Sequence, residues 1–167
     1  INGRPSGEAF GGATDYLFYA LSPQGDDPDR ALVHPEVASE SALLETDLNR
    51  YECIFLANVP QFTANEARLL DAFLANGGSL VFFLGDRVLA DRYNRELGGQ
   101  REGAVRLLPA QLGAVVSQSQ QQLDPLEYVH PIVRAFRGRE RALLLPTPVE
   151  KYVKLTLPEQ SSARVAL

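Results

Sequence analysis

The chain has no methionine, no tryptophan and one cysteine, Cys53. A single cysteine forms no internal disulfide, so the fold has no covalent staple. Without methionine, and opening on Ile1-Asn2-Gly3 and closing on Ala163-Arg164-Val165-Ala166-Leu167, the sequence reads as a piece of a longer protein cut inside its sheet. No apolar run approaches the roughly 20 residues of a membrane helix, and no signal-peptide pattern occurs. Two histidines, His34 and His130, lie far apart without ligand spacing, which argues against a zinc site. There is no Walker sequence and no G-x-G-x-x-G; Gly11-Gly12 and Gly98-Gly99 are isolated pairs, so no phosphate cradle is expected. Basic excess is missing too: the net charge is −5, which argues against nucleic acid and anionic membrane surfaces. No metal and no cofactor are expected.

What is present is ordinary globular material. Hydrophobic residues make up 45% of the 167, enough to build a core in one domain, 1–167, without a metal. The most informative stretch is 63–87. Thr63 with Glu66 three residues on forms a capping box, and Ala67, Leu70, Phe73 and Leu74 follow as one helical stripe. Asn76-Gly77-Gly78 supplies a left-handed stop. Residues 80–84 (LVFFL) are apolar without alternation, which predicts a central parallel strand buried on both faces. Gly85 permits the sharp turn that follows.

The rest of the chain repeats the pattern. Ile1 ends a first strand and residues 2–12 form a loop. Residues 14–21 predict a helix with Tyr16, Leu17, Ala20 and Leu21 inward. Residues 24–29 form an acidic loop. Residues 31–37 predict a second strand, at an edge or bulge because Pro35 sits in it. A helical turn falls at 41–48, a third strand at 51–57 and a helix at 88–97, directly after Asp86-Arg87. Alternating strands and helices predict an α/β fold with a doubly wound, mostly parallel sheet. After Gly98-Gly99 the character changes. One helical turn is expected at 107–112, strands at 114–116, 142–145 and 149–157, and a helix over 129–136 opened by Pro131.

Ligands of open parallel sheets sit beyond the carboxyl ends of the strands. Three such ends carry polar residues: Asn2-Gly3-Arg4, Asn58, and Asp86-Arg87. Asn2, Asn58, Asp86 and Arg87 are therefore the candidate ligand-binding residues. The structural alternative is that Asp86 caps the helix after it and Asn58 makes an Asx-turn before Pro60. Cys53, inside an apolar strand, reads as a small core residue. Asp26, Asp27 and Asp29 lack EF-hand spacing. Arg134, Arg137, Arg139 and Arg141 read as a docking patch or a charged loop around Gly138.

Residues 51–60 (YECIFLANVP) followed by GGSLVFFLGD resemble the class I glutamine amidotransferase-like fold. They look most like the degenerate form found in bacterial membrane proteins of the aerotolerance-regulator (Bat) type, which often also carry a von Willebrand A domain. Ile1-Asn2-Gly3-Arg4, Tyr93-Asn94, His130-Pro131-Ile132 and Lys151-Tyr152 fit the likeness. The resemblance implies a three-layer α/β/α sandwich of flavodoxin-like architecture in a soluble domain of a membrane-anchored bacterial protein, with other protein domains as partners. Active members place a Cys on the elbow after the strand, and the corresponding span here, residues 82–86, has neither Cys nor Ser. Their later His-Pro-Glu is split: His34-Pro35-Glu36 precedes the elbow, and His130-Pro131 is followed by Ile132. The expectation is a non-catalytic binding or regulatory domain, with no catalytic residue. The alternatives are a hydrolase using Asp86 at the elbow, and a self-association part working through residues 149–157.

Overall fold

The computed structural model describes residues 1–23, 32–98, 107–117, 121–138, 145, 148–159 and 161–166. It is a mixed α/β chain in two compact units, Ile1–Leu108 and Pro109–Leu167.

The first unit carries α1 (Asp15–Leu21), α2 (Ala42–Glu45), a 3-10 turn at Leu48–Arg50, β1 (Cys53–Ala57), α3 (Ala64–Ala75), β2 (Ser79–Phe83) and α4 (Ala90–Glu96). β1 and β2 pair in parallel with Cys53 opposite Ser79 and Ala57 opposite Phe83. Residues 1–3 add a short parallel row on the other edge of β1. The Ile1 nitrogen donates to Phe55 O, Ala57 N–H to Ile1 O, and Gly3 N–H to Ala57 O.

α3 forms for the reasons its sequence gives. Thr63 Oγ1 accepts the Glu66 N–H while Glu66 reaches back to the Thr63 N–H. At the far end Gly77 stands at φ +94, its N–H bonds Leu74 O, and Gly78 N–H bonds Phe73 O. That is a Schellman close, which needs a residue free to take positive φ. Ala67, Leu70 and Phe73 are buried, and the helix packs on α2, the 3-10 turn and β2. On the β2 side, Phe62, Phe82 and Tyr93 meet edge to face with centroids 5.1–6.3 Å apart. Tyr93 is fully buried and donates its hydroxyl to Val59 O at 2.7 Å.

Several expectations are corrected here. β2 is parallel, but it is not buried on both faces: Phe83 is 48% exposed and stacks on Phe55, and the strand between is half-buried. A uniformly apolar strand lacks the alternation that would reveal an open face. Residues 32–37 form no strand; the missing N–H of Pro35 cannot enter a ladder, and the nearest backbone bond is the one Ala38 O accepts from Asn2 N–H. α1 turns Leu17, Phe18 and Leu21 toward a cleft, while Tyr16 and Ala20 face solvent. Tyr16 lies against Phe10 instead.

In the second unit β3 (Gln111–Val116) and β4 (Tyr152–Thr156) pair antiparallel, with a register shift between Leu112 and Val115. The turn expected at 107–112 is thus not helical, and its end belongs to β3. The helix expected over 129–136 is the single turn α5 (Pro131–Arg134), with Pro131 in its first turn. Residues 163–166 form no strand. The acidic residues Asp26, Asp27 and Asp29, residues 142–144, and Arg139 and Arg141 lie outside the described residues.

Candidate functional site

The three polar strand ends meet. Asn58 follows β1 in the left-handed region, φ +53, a conformation asparagine tolerates better than most residues. It is 7% exposed, and its carboxamide is used at both ends. Nδ2 donates to Asp86 Oδ1 at 2.7 Å, and Oδ1 accepts the Arg87 N–H at 3.0 Å. One side chain thereby ties the end of β1 to the turn after β2. Arg87 Nη1 donates to Gly3 O, which brings in the end of the first row. Arg4 completes the corner: its guanidinium lies 3.7 Å from Asp86 Oδ2 and donates to Gly11 O, and its N–H bonds Asn2 Oδ1.

Two glycines make this approach feasible. A Cβ on Gly3 would run into the backbone of Asn58 and Val59, and one on Gly85 into the Asn58 carboxamide. The elbow position therefore has no room for a side chain while Asn58 holds this place.

Asn2, Asn58, Asp86 and Arg87 are thus brought to one corner. The two structural alternatives do not describe them. α4 begins at Ala90 with Leu89 as its N-cap and no side-chain cap bond, so Asp86 is not its cap. The Asn58 bonds reach across 28 and 29 residues, not to an Asx-turn. Arg4 is the member that the candidate set omits. The signal was its place beside Asn2-Gly3 in a loop that has to pass the other strand ends. Chemically the corner offers a carboxylate and two guanidinium groups on a rigid base. Arg4, Asp86 and Arg87 are all exposed, the Asp86 and Arg4 side chains by 65% and 50%.

The other candidates sit elsewhere. Cys53 is half-buried on β1, and burial pushes its thiol pKa up, away from the reactive thiolate. Glu36 of the early His-Pro-Glu is engaged by Tyr51 OH at 2.6 Å and Arg50 Nη2 at 3.0 Å. His130 caps α5, its Nδ1 accepting the Ile132 N–H at 3.3 Å. Among the described residues no group of three or more His, Cys, Asp or Glu is placed to hold a metal, and no helix is long and apolar enough to cross a membrane.

The chain matches no family model, no curated protein and no solved structure.

Proposed function

We propose that this chain is a non-catalytic binding or regulatory domain, with the Arg4–Asn58–Asp86–Arg87 corner as its contact point for a ligand or another protein domain. The observation that carries the reading is the use of Asn58. The place where an amidotransferase-like fold would carry its nucleophile is occupied by a structural carboxamide, against a glycine that admits no side chain. Folds retain binding surfaces when chemistry is lost, and function has to be argued from the site. The finer architecture goes with this reading: a three-layer α/β/α sandwich of glutamine amidotransferase-like, flavodoxin-like type, within a larger bacterial membrane-associated protein. The partners are other domains of the same or a neighbouring chain.

The test has two arms. Purified protein should release ammonia from glutamine no faster than buffer does. Full-length protein cross-linked in its native membranes should yield a partner through this corner, and Asp86→Asn, which removes the charge and keeps an oxygen to accept from Asn58, should weaken that cross-link while the unfolding free energy stays within about 1 kcal/mol of the parent. A glutaminase rate that survives purification and disappears in Asp86→Asn would overturn the reading.

A further inference from the structure

Asparagine precedes glycine at two steps of the chain, Asn2-Gly3 and Asn76-Gly77, and at every other asparagine the next residue is Arg, Val or Glu. A following glycine leaves the carboxamide open to attack by the main-chain nitrogen, because no side chain shields that nitrogen. The structure treats the two steps differently. Asn2-Gly3 lies in the row on β1. Asn2 N–H bonds Ala38 O, Gly3 N–H bonds Ala57 O, and Gly3 is buried close against the backbone of Asn58 and Val59. Asn76-Gly77 closes α3 in solvent. Both residues are exposed, and a Cβ on Gly77 would meet nothing within 4 Å. Three contacts hold this end: Asn76 Nδ2 donates to Asn49 Oδ1 at 2.8 Å, and the Gly77 and Gly78 N–H groups donate to Leu74 O and Phe73 O at 3.0 Å. Asn76 stands at ψ 4, so the Gly77 nitrogen nearly eclipses the Asn76 nitrogen and not its Cβ. Closing a ring onto Cγ requires a turn about the Cα–C bond, which breaks the Gly77–Leu74 bond. Such a turn belongs to the fraying of an exposed helix end, whereas the same rotation at Asn2 would take apart the row beside β1.

We propose that Asn76 is a site of spontaneous covalent modification, deamidating and isomerising through a succinimide at the end of α3. The Gly77 nitrogen, its proton taken by hydroxide, bonds to Asn76 Cγ. The Cγ–Nδ2 bond then breaks, and ammonia leaves with a proton from water. A second water opens the ring at either carbonyl. One opening gives aspartate, and the other gives isoaspartate, whose main chain runs through Cβ and Cγ. Both products put a carboxylate at the C-terminal end of α3, where the helix dipole disfavours negative charge and the last turn carries no basic residue. Both also remove the donor to Asn49 Oδ1, and the Asn49 Nδ2 is already spent on Asp47 Oδ1 at 3.0 Å. Isoaspartate further adds one methylene to the main chain between α3 and β2, so the Gly77 and Gly78 N–H groups lose their reach to Leu74 O and Phe73 O. The next N–H, of Ser79, bonds Glu52 O at the first rung of the β1–β2 ladder. Modification at Asn76 thus loosens the crossover where it joins the parallel pair.

The test is site-resolved peptide mass spectrometry of the intact chain, kept folded in warm, mildly alkaline buffer, with fragmentation that separates aspartate from isoaspartate. Asn76 should convert about tenfold faster than Asn2 or more, with isoaspartate the larger product. In denaturant, where neither step is held, the two rates should draw within a few-fold of each other. Asn49→Ala removes the side-chain tie from an exposed turn, and it should speed conversion at Asn76 several-fold while leaving Asn2 unchanged. In the converted chain, amide hydrogen exchange at Gly77 and Gly78 should quicken by about tenfold. Asn76→Asp, which carries the charge without the methylene, should quicken it less. Conversion at Asn76 no faster than at Asn2 in the folded chain would overturn the proposal. So would a folded chain that keeps Asn76 intact while the denatured chain converts it, or an Asn49→Ala chain that converts at the parent rate.

Discussion

The two units bury their apolar side chains very unequally. In Ile1–Leu108, β1 and β2 run parallel, and a parallel pair is joined only by a crossover. The crossover is α3, so the connection that makes the pair also covers it. Ala67 and Leu70 are fully buried from the helix side, and Leu56 from the sheet side. In Pro109–Leu167, β3 and β4 pair antiparallel and bring no such cover with them. Val115 is 55% exposed, Leu155 53% and Tyr152 41%. Among the described residues of that unit the buried apolar positions are Ala110, Leu112, Pro125, Tyr128 and Val133. A two-stranded ribbon of this kind is marginal alone in water. Stability in this chain therefore follows topology more than apolar content, since both strand pairs are built mostly of apolar residues.

The largest expected effect breaks that comparison if it fails. Leu70→Ala removes a fully buried side chain and should cost about 2–5 kcal/mol in denaturant unfolding of the first unit. Leu155→Ala, the same change on a half-open strand, should stay within about 1 kcal/mol. Equal losses would mean the ribbon is as well packed as the parallel unit. Next in size is Tyr93→Phe, which leaves Val59 O without its buried donor and should cost about 1–3 kcal/mol. Burial first, and the nearby charge of Glu40 second, push the Tyr93 pKa well above the ordinary tyrosine value. The sign follows from linkage. Above about pH 10 the unfolded chain ionises this phenol and the folded chain does not, so unfolding gains. The contribution is fully present below that pH and is lost as pH rises toward the folded pKa. Alkaline titration of the unfolding midpoint should show a steeper fall in the parent than in Tyr93→Phe.

The same contrast explains what could be read in advance. The parallel unit was legible where signals are local. Thr63 and Glu66 announce a helix start, Gly77 and Gly78 its stop, and the meeting of Asn58 with Asp86 follows once both are placed at carboxyl ends of parallel neighbours. The roles of Asn58 and Asp86 were not legible, because Asn and Asp serve equally as local caps and as cross-links between strand ends. Arg4 was hidden for a related reason: its partners Asp86 and Gly11 O are supplied by the fold, not by sequence neighbours. Openness is also invisible in an apolar run. Residues 79–83 have the same pattern whether a helix covers one face or both, and Phe83 shows only in three dimensions that one face is open. Residues 107–112 carry Leu, Ala and Gln, good helix formers, but pairing with β4 draws Gln111 and Leu112 into a strand.

The polar corner should respond at an intermediate level. Asn58→Ala removes two cross-strand hydrogen bonds and leaves a non-glycine residue at positive φ, with an expected cost of about 2 kcal/mol. Asn58→Gly separates the two causes: it relieves the backbone and keeps the bond loss. If Asn58→Gly equals the parent in thermal unfolding, the carboxamide contributes nothing and the corner is held by its glycines alone. Thr63→Ala is smaller, about 1 kcal/mol for one cap, and sharpens the claim that α3 is set by its own ends.

The smallest effect sits at the edge of the parallel unit, and it asks whether polar surface contacts there add to what the crossover helix supplies. Arg50 meets Glu36 at 3.0 Å and lies over the Tyr51 ring at 5.2 Å, with both charged side chains more than half exposed. An exposed pair of this kind is worth about 0–1 kcal/mol, because water screens the charges and two long side chains lose freedom. Arg50→Ala should therefore shift the unfolding midpoint by less than about 1 kcal/mol, and by less still at 1 M salt. Tyr51 adds a second reading. Its hydroxyl donates to Glu36 at 2.6 Å, and that bond, ahead of slight burial, raises its pKa. Glu36→Gln should lower the Tyr51 pKa toward the ordinary value, followed by its ultraviolet titration, while stability barely moves. A loss of several kcal/mol from either change would mean that the 32–38 segment, which neither helix nor ladder holds, is fastened by this contact instead, and that topology alone does not account for the stability of the first unit.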